Sequence, residues 1–153
     1  MIPMKTFLID GNNVIGKDSR LKKVQQKDKQ ASREKLVNLV DNYFHDKNQK
    51  VFIHFDGFKS SPINSTKAGI IYSDSKTADD TIKRHIEQLA NKKNTVVITS
   101  DSNLTQFAKV CHCGHISSEE FLKLISRTTT DDEQKKIDEM NDINLFKKIF
   151  EAE

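Results

Sequence analysis

Cysteine is nearly absent from this chain of 153 residues: Cys111 and Cys113 are its only two. Two positions apart, they are poorly placed to bridge each other. That excludes a disulfide-stapled scaffold and suits a reducing, cytoplasmic setting. No apolar run approaches the roughly 18 residues of a membrane-spanning helix. The first residues lack the basic, apolar and small-residue succession of a secretory signal, so no export is expected. There is no internal repeat and no low-complexity segment, so neither a solenoid nor a linker-rich architecture is expected. What remains is a length that suits one core, 35% hydrophobic and 31% charged.

The net charge of +3 is small but unevenly spread. Residues 17–35 carry eight basic side chains against three acidic ones. Residues 131–153 carry eight acidic side chains against four lysines. The reading is therefore a folded domain over residues 1–130 followed by a charged helix or tail over 131–153. A basic segment points to a polyanionic partner, although a solvated charged face would have the same composition.

Hydrophobic periodicity outlines strands alternating with helices. Lys5–Ile9, Val51–Phe55, Gly69–Tyr72 and Thr95–Thr99 read as short buried strands, with His115-Ile116 as an edge strand. Residues 17–30 are polar, without clear periodicity, and read as a loop or a frayed helix. Ala31 to about Lys47 reads as a helix burying Leu36, Leu39, Val40, Tyr43 and Phe44. A second helix begins at Thr77 and buries Ile82, Ile86 and Leu89. A third covers roughly Leu104 to Val110. Ser117 with Glu120 forms a capping box for a fourth. The tail from Asp131 reads as an amphipathic helix.

Alternation of this kind implies right-handed crossovers, an α/β class and a mostly parallel sheet. Such sheets bind ligands outside the carboxyl ends of their strands. Three strands end in aspartate, in "FLID", "FIHFD" and "VVITSD". Asp10, Asp56 and Asp101 should therefore share one rim. At one hundred degrees per residue, Asp79 falls at the border of its helix's buried face, while Asp80 points away and suits an N-terminal cap with Thr77. Taken singly, each carboxylate also fits a turn or a helix cap. Taken together, carboxylates converging on one edge repel one another unless a cation sits among them. An oxygen-rich set suits Mg²⁺ or Mn²⁺, which can activate water against a phosphodiester. Asn12 and Asn13 follow the first carboxylate, where an amide can orient a carboxylate, a water or a phosphate oxygen. A left-handed turn would use asparagine there too.

The segments "FLIDGNNVI", "KVFIHFDGF", "YSDSKTADDTIKRHIE", "VVITSDSNL" and "CGHISSEEFLKLI" follow one another in the order and rough spacing of an NYN domain. The chain resembles the YacP-like bacterial branch of that PIN-like nuclease superfamily over about residues 4–126. The resemblance implies an α/β sandwich of three layers and a metal-dependent endoribonuclease. It places metal ligation on Asp10, Asp79 and Asp101, with Asp56 and Asp80 assisting, and gives Asn13 a positioning role. RNA as the substrate is implied by the resemblance, with messenger RNA or a ribosome-associated RNA among the candidates. Many PIN-like nucleases carry a further acid just past the last strand. Here that place is Asn103, which can offer a carbonyl but no charge.

Lys17, Arg20, Lys22 and Lys23 follow the first motif directly and are candidate phosphate contacts, as is Arg84. His85 could touch phosphate and Tyr72 could stack on a base or simply pack. The "CHCGH" run is too tightly spaced for the usual structural zinc sites and has no second ligand pair. Three rivals to the endoribonuclease remain. One is an RNA-binding module of the same fold that cuts poorly, which Asn103 favours. Another is a phospho-accepting receiver domain built on Asp56, which would need an acidic pair where Asp10-Gly11-Asn12 stands. The third is a structure-specific DNA nuclease.

Overall fold

The computed structural model describes residues 4–125. Five strands, β1 (Thr6–Asp10), β2 (Lys50–Phe55), β3 (Gly69–Tyr72), β4 (Thr95–Ile98) and β5 (Gly114–Ile116), form one sheet in the order β3-β2-β1-β4-β5. Every neighbouring pair is parallel, with Thr6 opposite both Lys50 and Thr95 across the central β1. The helices are α1 (Gly11–Lys17), α2 (Ser19–Lys27), α3 (Lys29–Phe44), α4 (Ala78–Gln88), α5 (Ser102–Val110) and α6 (Ser118–Ile125).

Strand alternation divides the core in two. Phe7 and Ile9 of β1, Val51, Ile53 and Phe55 of β2, and Val96 and Ile98 of β4 face one side. There they meet Val14, Ile15, Leu21, Leu36, Val40 and Phe44 of α1–α3 and Phe121 of α6. Leu8 and Val97 face the other side, against Ile82 and Ile86 of α4 and Leu104 and Ala108 of α5. The result is three layers, helix on sheet on helix, as the resemblance implies. Strands buried on both faces read as near-continuous apolar runs, which is why β1, β2 and β4 were legible.

One expectation is corrected and one alternative falls. Residues 17–30 are neither loop nor frayed: α2 occupies most of them, with the side chain of Asp18 accepting from the amides of Arg20 and Leu21. Asp28 does the same for α3 through Ala31. Only Leu21 of α2 is buried, so caps and a single anchor replace the apolar stripe that periodicity looks for. Likewise Gly11-Asn12-Asn13 is not a turn. The strand runs directly into α1, and Gly11 is its first helical residue. The tail beyond residue 130, and with it the boundary placed there, lies outside the described residues.

Smaller expectations hold in their details. The Glu120 amide donates to the Ser117 hydroxyl, one bond of the capping box, and that hydroxyl donates to the Glu120 carboxylate at 3.3 Å. Thr77 caps α4 by accepting from the Asp80 amide. Within "CHCGH", two residues make structural contacts. Cys113 is buried in the α4–α5 layer, where burial pushes its thiol up to about 11. His115 bonds the Thr99 carbonyl.

The passage from β1 to α1 is tight. A β-carbon on Gly11 would stand 2.7 Å from two ring carbons of Phe55 and 2.9 Å from the His54 carbonyl oxygen. Gly11→Ala is therefore expected to lower the urea midpoint, costing about 1–3 kcal/mol through overpacking. The gain in helix propensity is no more than about 1 kcal/mol. Equilibrium unfolding of the two proteins checks this, and a midpoint equal to or above the parent's would refute the steric account.

Candidate active site

In the strand order β3-β2-β1-β4-β5, the chain leaves β1 toward one edge and crosses back to β4 on the other side. The switch point lies between β1 and β4, and a crevice opens there beyond the carboxyl ends. A cavity of about 560 Å³ occupies this edge. Asp10, Asn12, Asn13, Asp56, Lys76, Thr77, Ala78, Asp79 and Asp101 line it. Four carboxylates and two amides from four separate stretches of chain thus share one hollow.

Each carboxylate is held differently. Asp10 is 8% exposed, and its Oδ2 accepts a 3.0 Å bond from the Thr99 hydroxyl. Burial pushes its carboxyl up to about 6, with Asp56 and Asp101 adding repulsion. The Thr99 hydroxyl and the backbone amide of Asn13 act in the opposite direction. Asp56 accepts from the amide of Ala78 at 2.6 Å, which ties the end of β2 to the start of α4. That tie sets Asp79 facing the cavity. One oxygen of Asp79 pairs with Lys83 at 3.0 Å, one helical turn on. Its other oxygen, Oδ1, is buried without a hydrogen-bond partner. Asp101 spends Oδ1 on the Leu104 amide at 2.9 Å as the cap of α5. The cap reading and the rim reading are both correct for this residue.

The asparagines brace the rim. Asn12 Oδ1 accepts from the Asp56 amide at 2.8 Å. Asn13 Oδ1 accepts from the Ser100 amide at 2.9 Å and the Ser118 hydroxyl at 2.7 Å. Their carbonyl oxygens are thereby committed to the protein. Each side chain's NH₂ donors are left for the cavity that both residues line.

Other candidates stand outside it. Asp80 and Asn103 are exposed and do not line the cavity. Lys17, Arg20, Lys22 and Lys23 are exposed on the last turn of α1 and on α2. Arg84 lines a neighbouring cavity of about 410 Å³ with His54, Tyr72, Lys76 and His85. Tyr72 itself packs against Phe55 and Arg33, with its hydroxyl buried, so its ring is engaged. Sequence reasoning missed Lys76, which lines both cavities, and Ser118, which holds Asn13. Lys76 stands inside the quoted "SKTADD", but nothing local sets it apart. Ser118 bonds a residue 105 positions away, which no local pattern reports.

Hard oxygen donors, a buried orphan oxygen on Asp79 and a strained Asp10 carboxylate fit a small divalent cation. Among the described residues, no three carboxylate, imidazole or thiol side chains are gathered closely enough to form a finished cage. The donor set suits an ion that keeps several waters and takes one or two carboxylates directly, as Mg²⁺ does.

A family model for the YacP-like NYN domain matches residues 7–152. Two crystal structures of Rae1 (YacP) from Bacillus subtilis have the same fold. One superposes with a TM-score of 0.71 at 22% identity, covering 95% of this chain and 87% of that chain. The other, of a point mutant, gives 0.70 at 23% identity, covering 80% of this chain and 76% of that chain. No match to a curated protein sequence was found.

The Asp10 carboxyl has a stability consequence. Its folded value near 6 lies above its ordinary 3.8, so its contribution is present below about pH 4 and lost as pH rises through 6. Asp10→Asn removes this penalty. In EDTA at pH 8 the variant is expected to be more stable than the parent by about 1–3 kcal/mol, the two converging near pH 4. Thermal or urea unfolding across that range checks it. A variant less stable than the parent at pH 8 would show that the charge is not opposed by its surroundings.

Proposed function

The chain belongs to the YacP-like NYN domain family, which has a nuclease-like fold, and on that premise we propose that it is a metal-dependent endoribonuclease. The observation that carries this reading is the single cavity at the switch point, lined by Asp10, Asp56, Asp79, Asp101 and two asparagines whose NH₂ groups remain free. Asp10, Asp79 and Asp101 would hold Mg²⁺ or Mn²⁺, with Asp56 assisting. The buried Oδ1 of Asp79 is the atom that most needs such a partner. Once bound, the ion supplies Lewis acidity that activates water and offsets charge on the phosphodiester.

The protein's own groups do the rest. Thr99 holds the Asp10 carboxylate from behind. Asn13, anchored by Ser100 and Ser118, presents an NH₂ donor to a phosphate oxygen or to the attacking water. Lys76 supplies a positive charge at the cavity wall. The exposed bases of α1 and α2 and Arg84 contact flanking phosphates, so binding should weaken steeply with salt. RNA rather than DNA comes from the family. A second reading, an RNA-binding module that cuts poorly, draws on the absence of a finished cage among the described residues and on Asn103 standing where many relatives carry an acid.

Cleavage of a mixed-sequence RNA is expected with Mn²⁺ and not with EDTA. Asp10→Asn and Asp79→Asn should each lower the rate by more than about 100-fold, the upper range for losing a supporting residue around a metal site. Both variants should remain folded. Metal-dependent cutting by both at the parent's rate would place the chemistry elsewhere. RNA binding without cutting by the parent would select the second reading.

A further inference from the structure

Three large hydrophobic side chains are exposed among the described residues: Met4, Phe58 and Val110. Met4 precedes β1 and Val110 ends α5, which runs back from the rim, so both lie toward the amino edge of the sheet. Phe58 alone lies on the carboxyl edge, two residues past Asp56, with 64% of its surface exposed. A lone exposed hydrophobe is ordinary. The way this one is held is not.

The turn that carries Phe58 is fastened at nearly every backbone group. The Asp56 amide donates to Asn12, and the Gly57 amide donates to the Ser73 hydroxyl at 2.8 Å. The Gly57 carbonyl accepts from the Asp74 amide at 2.9 Å. Gly57 itself has φ +85°, a conformation other residues rarely adopt. The carbonyls of Asp56 and Phe58 both accept from the guanidinium of Arg33. Arg33 is 1% exposed, and its guanidinium lies over the rings of Phe55 and Tyr72. Burying an arginine is costly unless its donors are used. Here the two terminal nitrogens hold a turn whose last side chain is an aromatic ring in water, while the buried Nε has no partner. Lys29 Nζ lies 3.6 Å from where a β-carbon on Gly57 would be, and Lys59 is next in the chain, so the turn itself carries a lysine and has a second beside its glycine.

An exposed apolar ring on a fastened turn, two residues past the cavity residue Asp56 and with lysines on and beside the turn, matches the needs of a single-stranded nucleic acid. Lysines meet phosphates, and an aromatic face meets a base. We propose that Phe58 is a stacking platform for an unpaired nucleobase next to the phosphodiester held at the Asp10–Asp101 cavity. The inference rests on the nuclease reading for the identity of the strand, but not for the stacking itself. Stacking needs no base-edge contact, so the platform tolerates any base and favours purines, which offer the larger face.

The chain contains no tryptophan, so Phe58→Trp creates a sole indole reporter at the site. The test uses parent, Phe58→Ala and Phe58→Trp proteins in EDTA, with a dye-labelled oligoadenylate and an abasic strand of equal length. Phe58→Ala is expected to weaken oligoadenylate binding by about 5- to 150-fold, with little change for the abasic strand. Phe58→Trp should restore affinity, and its emission should be quenched by oligoadenylate alone. The exposed ring predicts that the alanine variant melts with the parent. Equal affinity of Phe58→Ala and parent, an indole that ignores bound RNA, or a parent that does not bind would each overturn the inference. If it fails in a protein that cuts RNA with Mn²⁺, the nuclease reading stands alone. Quenching in a protein that never cuts keeps the platform and removes the nuclease.

Discussion

All five strands run the same way, and the rest of the molecule depends on that constraint. Parallel pairing puts every carboxyl end on one edge of the sheet and every helix start beside it. A chain that places an aspartate after each of three strands therefore gathers them whether or not they attract. They do not attract: Asp56 and Asp101 both make ionisation of the buried Asp10 harder. The fold accepts this opposition because packing of the two layers of helix on β1, β2 and β4 holds the rim from behind.

The rim is stitched by side chains that reach for backbone. Asn12 reaches from α1 to the end of β2, and Asn13 reaches to the end of β4 and the start of α6. Asp56 reaches from β2 to α4. Arg33 reaches from α3 through the core to the turn after β2. The Asn12, Asn13–Ser100 and Asp56 bonds fasten stretches that carry cavity residues to one another, and the Ser118 and Arg33 bonds tie α6 and α3 to that frame. Residues that read as chemistry in the sequence are thus partly mechanical. Asn13 is the clearest case, since its oxygen belongs to the frame while the residue lines the cavity. A geometry held this way suits a site in which a hydrated cation and a phosphate are positioned rather than gripped.

The legibility of these features differed with the range of the interaction behind them. The apolar runs of β1, β2 and β4 and the alternation with helices were readable because burial on two faces leaves a continuous local record. Asp79 was separable from Asp80 because helical periodicity is local too. The segment around α2 was misread, since its helix rests on the Asp18 cap and one buried leucine instead of a stripe. The helical start at Gly11 was hidden by a composition, Asp-Gly-Asn-Asn, that turns also favour. What distinguishes them is the Phe55 ring packed against Gly11, a contact 44 residues away in sequence.

By itself, then, the sequence determined the alternation of strands and helices, the mostly parallel sheet and the presence of Asp10, Asp56, Asp79 and Asp101 at one edge. These follow from periodicity and chain direction, which are properties of neighbours. Only the tertiary structure decided which oxygens are already engaged, that Asp79 keeps one buried oxygen unpartnered, that Asp80 and Asn103 stand aside, and that Arg33 leaves the basic segment for the core to hold the turn bearing Phe58. Those outcomes depend on hydrogen bonds between residues some 20 to 100 positions apart, whose partners are chosen by the packing of whole layers and leave no mark in the local sequence.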